Sequence, residues 1–373
     1  MGVPTQTLAD GSIDKYRTRL VTKGFAQQYG VDYMETFSPV IRHDSIRTTL
    51  ALAVQLHWGH LQLDVQTAFL NSDLDEVIFV TPPTETGDDK VWKLRKVLYG
   101  LKQASRAWYE TVTKFLCQTG FAQCQSDSGV LVKRTANSIV VVLLYVDDML
   151  TFSDVASELA AFQANITSRF AINKCDASSS FVGMELTGSK AGDMLTIGQQ
   201  KYTVTVVMRF ASSDDRSRPR TPMDSNFQHQ VADDMQTIGE SIRPAVGSLL
   251  YASTVSRPDL TTAARLIAQE SEQPTRTVQA AIGRVLGYLA RTADMGMVYR
   301  RSTKRELQLE VYCDAAFACE RKRKSSTGFV VFLSGYFISW GSNETADCHA
   351  VDYRIGVCVA RRVSAFFAQV YGT

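Results

Sequence analysis

The chain has 373 residues, 45% of them hydrophobic and 10% aromatic, a composition that supports buried cores and excludes a fully disordered polymer. Its formal net charge of +2 gives no general attraction to nucleic acid, so such binding would have to come from local basic clusters. The first residues do not resemble a signal peptide and no apolar run is long enough to span a membrane, which predicts an intracellular protein with no membrane partner.

The first predicted elements are a strand and a helix. Basic residues alternate with apolar or small ones over 15–25, a pattern typical of a half-exposed strand with its cations on one face. Apolar residues then recur at helical spacing over 42–58. His43 and Asp44 stand where a helix cap is expected.

The next elements alternate strand and helix again. Residues 60–71 alternate apolar and polar side chains, so Asp64 faces away from the apolar side of this predicted strand. A short strand over 75–83 ends in two prolines. An amphipathic helix follows over 104–120 and is closed by Gly120.

The apolar strand at 138–146 runs directly into two adjacent carboxylates, Asp147 and Asp148. Burying ionised carboxylates at the edge of such a strand is costly, and two neighbouring like charges raise that cost. Residues 149–153 are expected to form the return strand of a hairpin. The pair is therefore either a solvated hairpin turn or a metal site.

The pattern of predicted secondary structure changes twice in the second half of the chain. A helix is expected over 155–170 and a hairpin over 178–202, and a Ser-, Pro- and charge-rich stretch at about 211–230 is the best linker candidate. Helical patterns follow to about residue 293. From about residue 305 the pattern indicates three short strands and a last helix, a small α+β domain.

A metal site at the acidic pair needs a further oxygen ligand. Asp64 meets this need, because it lies at the polar face and C-terminal end of an alternating strand. Carboxylates without nearby His or Cys favour Mg²⁺ or Mn²⁺, and such ions in pairs support phosphoryl transfer. The seven cysteines are scattered without a CxxC pair and are interpreted as free thiols, not as a zinc site or disulfide framework.

Several long blocks of this sequence, taken in order, resemble the reverse transcriptase and ribonuclease H region of copia-type retrotransposon polyproteins. The blocks extend over about residues 10 to 340 and are listed here: 16–40, 61–71, 91–109, 143–150, 243–260 and 312–340. The resemblance implies that Asp64 matches the family's first metal-binding aspartate. It also implies that Asp147 and Asp148 match the pair in the Tyr-x-Asp-Asp motif that begins at Tyr145, with Asp147 the more direct ligand of both metals.

The resemblance also implies substrate-binding residues. Phe69 corresponds to the bulky residue that acts as a steric gate beneath the incoming sugar, so Phe69→Ala is expected to raise ribonucleotide incorporation. Plain core packing is the alternative role for that ring. Gly100 is expected to let backbone approach the nucleotide, and Lys102 and Gln103 to offer polar groups to template or substrate. In the same segment Ser105 stands where the family usually has proline.

The basic cluster near the start of the chain contains Lys15, Arg17, Arg19 and Lys23. Taken alone it suggests a solvated face. The resemblance instead places Arg17, Arg19 and Lys23 where cations of the fingers would meet the triphosphate, and spacing does not fix which of them does so.

The ribonuclease H part departs from the family. Asp314 matches the first carboxylate of that site, yet alignment on Tyr353 puts Ala350 where the family has a metal-binding glutamate. Asp352 is a poor replacement, because residues two apart on a helix point in different directions. We therefore expect no ribonuclease H activity. The family's integrase, protease and capsid parts have no counterpart here, which suggests a fragment or a decaying copy of an element.

Together these observations predict an α+β fold of the right-hand polymerase type, with an antiparallel palm sheet. Fingers and palm are assigned to 1–210, thumb and connection to 211–304, and a partial ribonuclease H-like domain to 305–373.

The leading functional hypothesis is an RNA-directed DNA polymerase with two Mg²⁺ or Mn²⁺ ions. Its expected partners are an RNA template, a DNA primer and deoxynucleoside triphosphates, in the cytoplasm within a virus-like particle or in the nucleus. A catalytically inactive remnant that at most binds nucleic acid is the competing hypothesis. In a third, the acidic pair is a simple turn in an unrelated α+β enzyme.

Overall fold

The computed structural model shows a mixed α/β chain with antiparallel sheets, which confirms the predicted α+β character. The described residues are 5–7, 13–16, 19–174, 180–189, 192–211, 219–303, 307–316, 324–345, 358, 361, 363–366 and 368–369. The first half contains β1 (Thr5–Thr7), β2 (Ile13–Tyr16), α1 (His43–Leu56), β3 (Gly59–Val65), β4 (Phe79–Val80), β5 (Trp92–Lys93), α2 (Ala104–Gln118), β6 (Ala122–Gln123), β7 (Val130–Arg134), β8 (Ile139–Tyr145), β9 (Asp148–Ser153), α3 (Ala156–Arg169) and β10 (Ile172–Lys174).

The second half contains β11 (Ser180–Phe181), β12 (Met184–Gly188), β13 (Met194–Gly198), α4 (Gln200–Phe210), α5 (Phe227–Asp233), α6 (Arg243–Val255), α7 (Thr261–Gln269), α8 (Arg276–Arg291), β14 (Met297–Arg300), β15 (Leu309–Ala316), β16 (Ser325–Leu333) and β17 (Tyr336–Thr345). Short 3-10 helices cover Gly24–Ala26, Ala68–Asn71, Thr84–Thr86 and Pro258–Leu260.

A six-stranded antiparallel sheet, the central sheet, has the order β10-β3-β9-β8-β7-β6. Its middle strands β8 and β9 are almost continuously buried, so both faces of the sheet must be covered by helices. Helix α1 packs on one face, where Leu50 contributes to a cluster with Val141 and Leu150. Helices α2 and α3 pack on the other face, where Trp108 and Ile166 belong to a separate hydrophobic cluster.

Strands β1-β2 and β4-β5 form two-stranded sheets, and the strands from residue 180 onward form two larger ones. Strands β11 to β14 form a four-stranded sheet in chain order, and β15-β16-β17 form a three-stranded sheet. Helices α4 to α8 share a second core, to which Leu249, Ile267 and Val285 contribute fully buried side chains. Residues of β16 and β17 belong to the same core cluster as α1. The predicted domain boundaries remain predictions.

The strand predicted over 15–25 is wrong in its second half. Strand β2 ends at Tyr16, and residues 19–23 have no regular secondary structure before the 3-10 helix at Gly24–Ala26. The reason is tertiary, because Thr22 donates its backbone N–H to the carbonyl oxygen of Tyr99 at 2.8 Å instead of to a sheet partner.

Smaller corrections concern element ends. Helix α1 begins at His43 and its cap position is Arg42, so His43 and Asp44 lie in the first turn and no side chain caps the helix. The stretch predicted as a linker already contains the start of α5 at Phe227, which is buried against the helical core. The three strands expected to be short, β15 to β17, have 8, 9 and 10 residues.

Candidate active site

The structure brings Asp64, Asp147 and Asp148 to one edge of the central sheet. Strand β3 pairs with β9, and Asp64 lies directly opposite Asp148 in that register. The hairpin between β8 and β9 carries Asp147 in its turn, and the backbone N–H of Val65 donates to the carbonyl oxygen of Asp147 at 2.8 Å. Asp64 therefore shares one site with the adjacent pair Asp147 and Asp148, although the pair lies far from it in the sequence.

The charges of these carboxylates act on each other. The pKa of Asp148 is raised to about 6 by burial and then by the negative charges of Asp147 and Asp64. Burial and the charge of Asp64 also raise the pKa of Asp147, and the Arg19 guanidinium partly opposes that shift. The site therefore concentrates negative charge that a cation would relieve.

The donor chemistry fits hard divalent cations, because all three side chains offer carboxylate oxygens. Within the described part of the chain, no group of three or more His, Cys, Asp and Glu side chains is arranged so that it could hold a metal ion by itself. Mg²⁺ is commonly held by one or two carboxylates together with substrate phosphates and water, and these aspartates could serve in that way.

Asp64 is held in place by a neighbouring strand. Asn173, opposite Asp64 in β10, donates from Nδ2 to Oδ2 of Asp64 at 3.0 Å. Gln66 in turn donates from Nε2 to Oδ1 of Asn173 at 2.6 Å. This short chain of hydrogen bonds orients one carboxylate oxygen of Asp64, and sequence reasoning did not identify Asn173 because its partner is more than 100 residues away.

An aromatic pair and a cation lie next to the carboxylates. Phe69, in the 3-10 helix after β3, is half-buried, and its ring centroid is 4.7 Å from that of Tyr99. The guanidinium carbon of Arg19 is 5.3 Å from the Tyr99 ring centroid. Besides burial, the charge of Asp147 raises the pKa of Tyr99, so the phenol lies within electrostatic range of the site. Tyr99 is a second residue that sequence reasoning did not single out.

Gly100 is needed for a close backbone contact. Its φ is +94°, and a Cβ atom there would lie 2.2 Å from the carbonyl oxygen of Thr22. A Cβ at Gly24 would in turn lie 1.9 Å from the carbonyl oxygen of Gly100. The close approach seen here joins two protein segments, and the expected approach to a nucleotide remains a prediction.

Lys102 and Gln103 are engaged with the segment before α1. The Lys102 ammonium donates to the carbonyl oxygen of Gln27 at 3.1 Å and to the Tyr33 hydroxyl at 3.3 Å. Gln103 is 5% exposed. Its Nε2 donates to the Asp32 carbonyl oxygen at 2.9 Å, and its Oε1 accepts from Gln27. The amide of Gln103 thus makes internal hydrogen bonds in this structure, and its expected role toward template or substrate stays a prediction.

The other predicted substrate residues are more scattered. Arg17 lies outside the described residues, so its predicted role stays a prediction. Lys23 is exposed and lines a cleft of about 750 Å³ with Trp92 and residues 78–85. Tyr145 is half-buried and lies opposite Asp148 in the β8–β9 hairpin.

Of the two residues predicted for a ribonuclease H site, the structure describes only Asp314. Asp314 is exposed on β15, opposite Gly328 of β16. Asp352 lies outside the described residues, as does Ala350. The predicted lack of ribonuclease H activity stays a prediction that rests on the sequence.

A third residue missed by sequence reasoning is Trp108 of α2. It is 1% exposed, and its Nε1 donates to the carbonyl oxygen of Val146 at 2.6 Å, one residue before Asp147. Helical periodicity places Trp108 on the buried face of α2 but gives no sign of this contact with the acidic turn.

Comparison with known proteins agrees with the resemblance to copia-type reverse transcriptases. Residues 3–224 match the family model described as reverse transcriptase (RNA-dependent DNA polymerase). Over 343 residues the chain is 36% identical to the retrovirus-related Pol polyprotein from transposon RE1 of Arabidopsis thaliana, covering 90% of this chain and 23% of that protein.

Other relatives come from tobacco and yeast. The Pol polyprotein from transposon TNT 1-94 of Nicotiana tabacum is 35% identical over 347 residues, with 89% of this chain and 26% of that protein covered. A putative transposon Ty5-1 protein of Saccharomyces cerevisiae is 29% identical over 292 residues, with 76% of this chain and 92% of that protein covered. The chain spans about a quarter of the length of the plant polyproteins.

Among the described residues, no helix combines the length and the apolar character that crossing a membrane requires. Two of the described cysteines, Cys117 and Cys124, are thiols outside any disulfide, as expected for them.

Proposed function

The chain belongs to the copia-type reverse transcriptase (RNA-dependent DNA polymerase) family, and we propose on this basis that it extends a DNA primer on an RNA template. The observation that carries the proposal is the meeting of Asp64, Asp147 and Asp148 at one edge of the central sheet. A polymerase site needs carboxylates at the place where a primer hydroxyl attacks a phosphate, and these three are supplied by adjacent strands.

The proposed fold assignment follows the same order as the chain. Residues 1–210 supply fingers and palm, and the central sheet is the palm sheet. Residues 211–304 supply thumb and connection, and residues 305–373 a partial ribonuclease H-like domain. Helices α5 to α8, which all lie within 211–304, and the separate sheet β15-β16-β17 support this division.

In the proposed mechanism, Asp64, Asp147 and Asp148 would hold two Mg²⁺ or Mn²⁺ ions together with the triphosphate. The chemistry that such ions would supply there is a lower pKa for the primer 3′-hydroxyl and stabilisation of charge on the leaving phosphate. Asn173 keeps one oxygen of Asp64 directed by its hydrogen bond. Ionised carboxylates are required, so the raised pKa of Asp148 makes productive binding dependent on pH.

Arg19 is the finger cation that we assign to the triphosphate. Its guanidinium lies over the Tyr99 ring and within electrostatic range of Asp147, and among the described residues Lys23 has no such contact. Phe69, which packs on the same tyrosine, is the residue that we propose as the steric gate. A ring that meets the sugar would reject a 2′-hydroxyl by collision.

The protein would contact the template and primer mainly through their sugar–phosphate backbones, because a polymerase must accept every sequence. Binding is therefore expected to weaken as salt concentration rises. We place this activity in the cytoplasm, in a particle of the element, or in the nucleus.

Primer extension on an RNA template with Mg²⁺ tests the proposal. The native chain is compared with Asp147→Asn, which keeps the size of the side chain and removes its charge. Asp233→Asn, at an exposed position at the end of α5, is the matched control. We expect incorporation by the native chain and the control, and a loss of about a hundredfold or more for Asp147→Asn.

The outcome separates the two main hypotheses. Incorporation that Asp147→Asn abolishes supports the polymerase. If a folded native chain shows no incorporation with Mg²⁺ or Mn²⁺, the inactive remnant is favoured. Incorporation that persists in Asp147→Asn would contradict the assignment of this carboxylate.

A further inference from the structure

The turn that carries Asp147 has an unfavourable backbone conformation. Tyr145 pairs with Asp148 across the β8–β9 hairpin, so Val146 and Asp147 form a two-residue turn. Val146 has a φ of +53°, in the left-handed region that β-branched residues rarely adopt. Such a conformation persists only where the surrounding structure enforces it.

Trp108 of α2 holds Val146 in this conformation by a hydrogen bond. Its indole N–H donates to the carbonyl oxygen of Val146 at 2.6 Å, and the side chain is 1% exposed. The indole ring packs edge-on against Phe170, with 5.2 Å between the ring centroids. A rigid, buried donor on a helix can therefore fix the orientation of a single peptide group in the turn.

The turn is held from a second side by the strand that carries Asp64. The backbone N–H of Val65 donates to the carbonyl oxygen of Asp147 at 2.8 Å. The peptide groups before and after the Asp147 α-carbon are thus both anchored, one to α2 and one to β3. With both fixed, the direction in which the Cα–Cβ bond of Asp147 leaves the backbone is fixed relative to β3, which carries Asp64.

We propose that Trp108 is a positioning residue that holds the strained Val146 peptide and thereby aims the Asp147 carboxylate at the cation site. This proposal rests on the proposed polymerase function. It names a residue outside the site itself that acts through the backbone of the acidic turn, as outer-shell partners of metal ligands do.

The first test is Trp108→Phe, which keeps an aromatic ring against Phe170 and removes the N–H donor. The matched control is Trp340→Phe, because the Trp340 indole also donates to a backbone carbonyl oxygen, that of Ser253 at 2.9 Å, in another part of the chain. Binding of Mn²⁺ is measured by the loss of its free paramagnetic resonance signal. Hydrogen exchange of the Val65 amide is measured on the same samples.

We expect Trp108→Phe to weaken Mn²⁺ binding about tenfold or more and to speed exchange of the Val65 amide, and Trp340→Phe to change neither. Native Mn²⁺ affinity and native Val65 protection in folded Trp108→Phe would overturn the proposal. An equal loss in Trp340→Phe would also overturn it, since the effect would then be general.

A second variant tests the strain directly. Glycine adopts a positive φ without steric cost, so a chain with Val146→Gly should depend less on Trp108. Trp108→Phe should therefore cost less Mn²⁺ affinity in the Val146→Gly chain than in the native chain. If Trp108→Phe alone folds poorly, Val146→Gly should restore its folding, because glycine removes the strain, and a failure to restore it would overturn the proposal. An equal cost in both backgrounds would contradict the role assigned to the turn.

These measurements are independent of primer extension. If the native chain binds Mn²⁺ but fails to extend a primer, the proposed function fails while the positioning role is still tested. If extension is present and Trp108→Phe leaves Mn²⁺ binding unchanged, the positioning role fails alone.

Discussion

Burial and the charges of Asp147 and Asp64 raise the pKa of Asp148 from 3.8 to about 6. The folded chain therefore holds a proton at pH values where the unfolded chain has released it. By linkage, the free energy of unfolding falls as pH rises from about 4 to about 6, and this loss is complete above the folded pKa. A bound divalent cation would take the place of the proton and reverse the loss.

We predict that Asp148→Asn removes this part of the pH dependence. In the presence of a chelator, its thermal unfolding midpoint should lie above that of the native chain near pH 7 and close to it near pH 4.5. Adding Mg²⁺ should raise the midpoint of the native chain by more than that of the variant, which retains Asp64 and Asp147 but lacks one carboxylate. Asp233→Asn is the control, and a difference between native chain and Asp148→Asn that is the same at both pH values would contradict the prediction.

Between elements, the close contact of the segments around Gly24 and Gly100 sets the position of Arg19 and Tyr99. We predict that Gly100→Ala lowers the free energy of unfolding by about 1 to 3 kcal/mol and reduces primer extension, because its Cβ would collide with the Thr22 carbonyl oxygen. Chemical denaturation and primer extension measure the two effects.

The matched control for that contact is Gly30→Ala. Gly30 also has a positive φ, +83°, but a Cβ there would meet nothing within 4 Å. It therefore carries the conformational cost of the left-handed region without the collision. Equal effects of Gly30→Ala and Gly100→Ala would show that the contact with Thr22 contributes nothing.

The same contact shows how far sequence reasoning reaches. The periodicity of apolar residues predicted β3, β8 and β9 and the helices α1 to α3, because each of these elements buries a face that its own pattern defines. The pattern failed over 19–23, where the backbone bonds to Tyr99, and it gave no sign that Gln103 is buried. Both features depend on partners more than 70 residues away, which no local pattern encodes.

The candidate site was predictable to a similar extent. The acidic pair and the strand containing Asp64 have a local signature, and the resemblance to a known family joined them. The supporting residues Trp108 and Asn173 have no such signature. In the sequence, Trp108 is indistinguishable from an ordinary core residue of an amphipathic helix. Its hydrogen bond to the Val146 carbonyl oxygen depends on how α2 packs against the β8–β9 turn.

At the scale of the whole molecule, Arg47 of α1 links the central sheet to two later parts of the chain. It is 4% exposed, and burial lowers its pKa to about 10, so it remains charged at neutral pH. Its guanidinium donates to the carbonyl oxygens of Thr254 and Val255 at the end of α6 and of Ile338 in β17. It also lies 4.1 Å from the ring centroid of Trp340.

This buried cation should make α1, α6 and β17 unfold together. Arg47→Met keeps much of the side-chain volume but leaves three carbonyl oxygens without their donor, so we predict a loss of unfolding free energy on the order of 3 kcal/mol. Amides of β17 should exchange faster in the variant than in the native chain, measured by hydrogen exchange. Arg42→Met, at the exposed cap position of the same helix, is the control. If β17 keeps its native protection in Arg47→Met, the C-terminal sheet is held by its own core and α1 does not govern its stability.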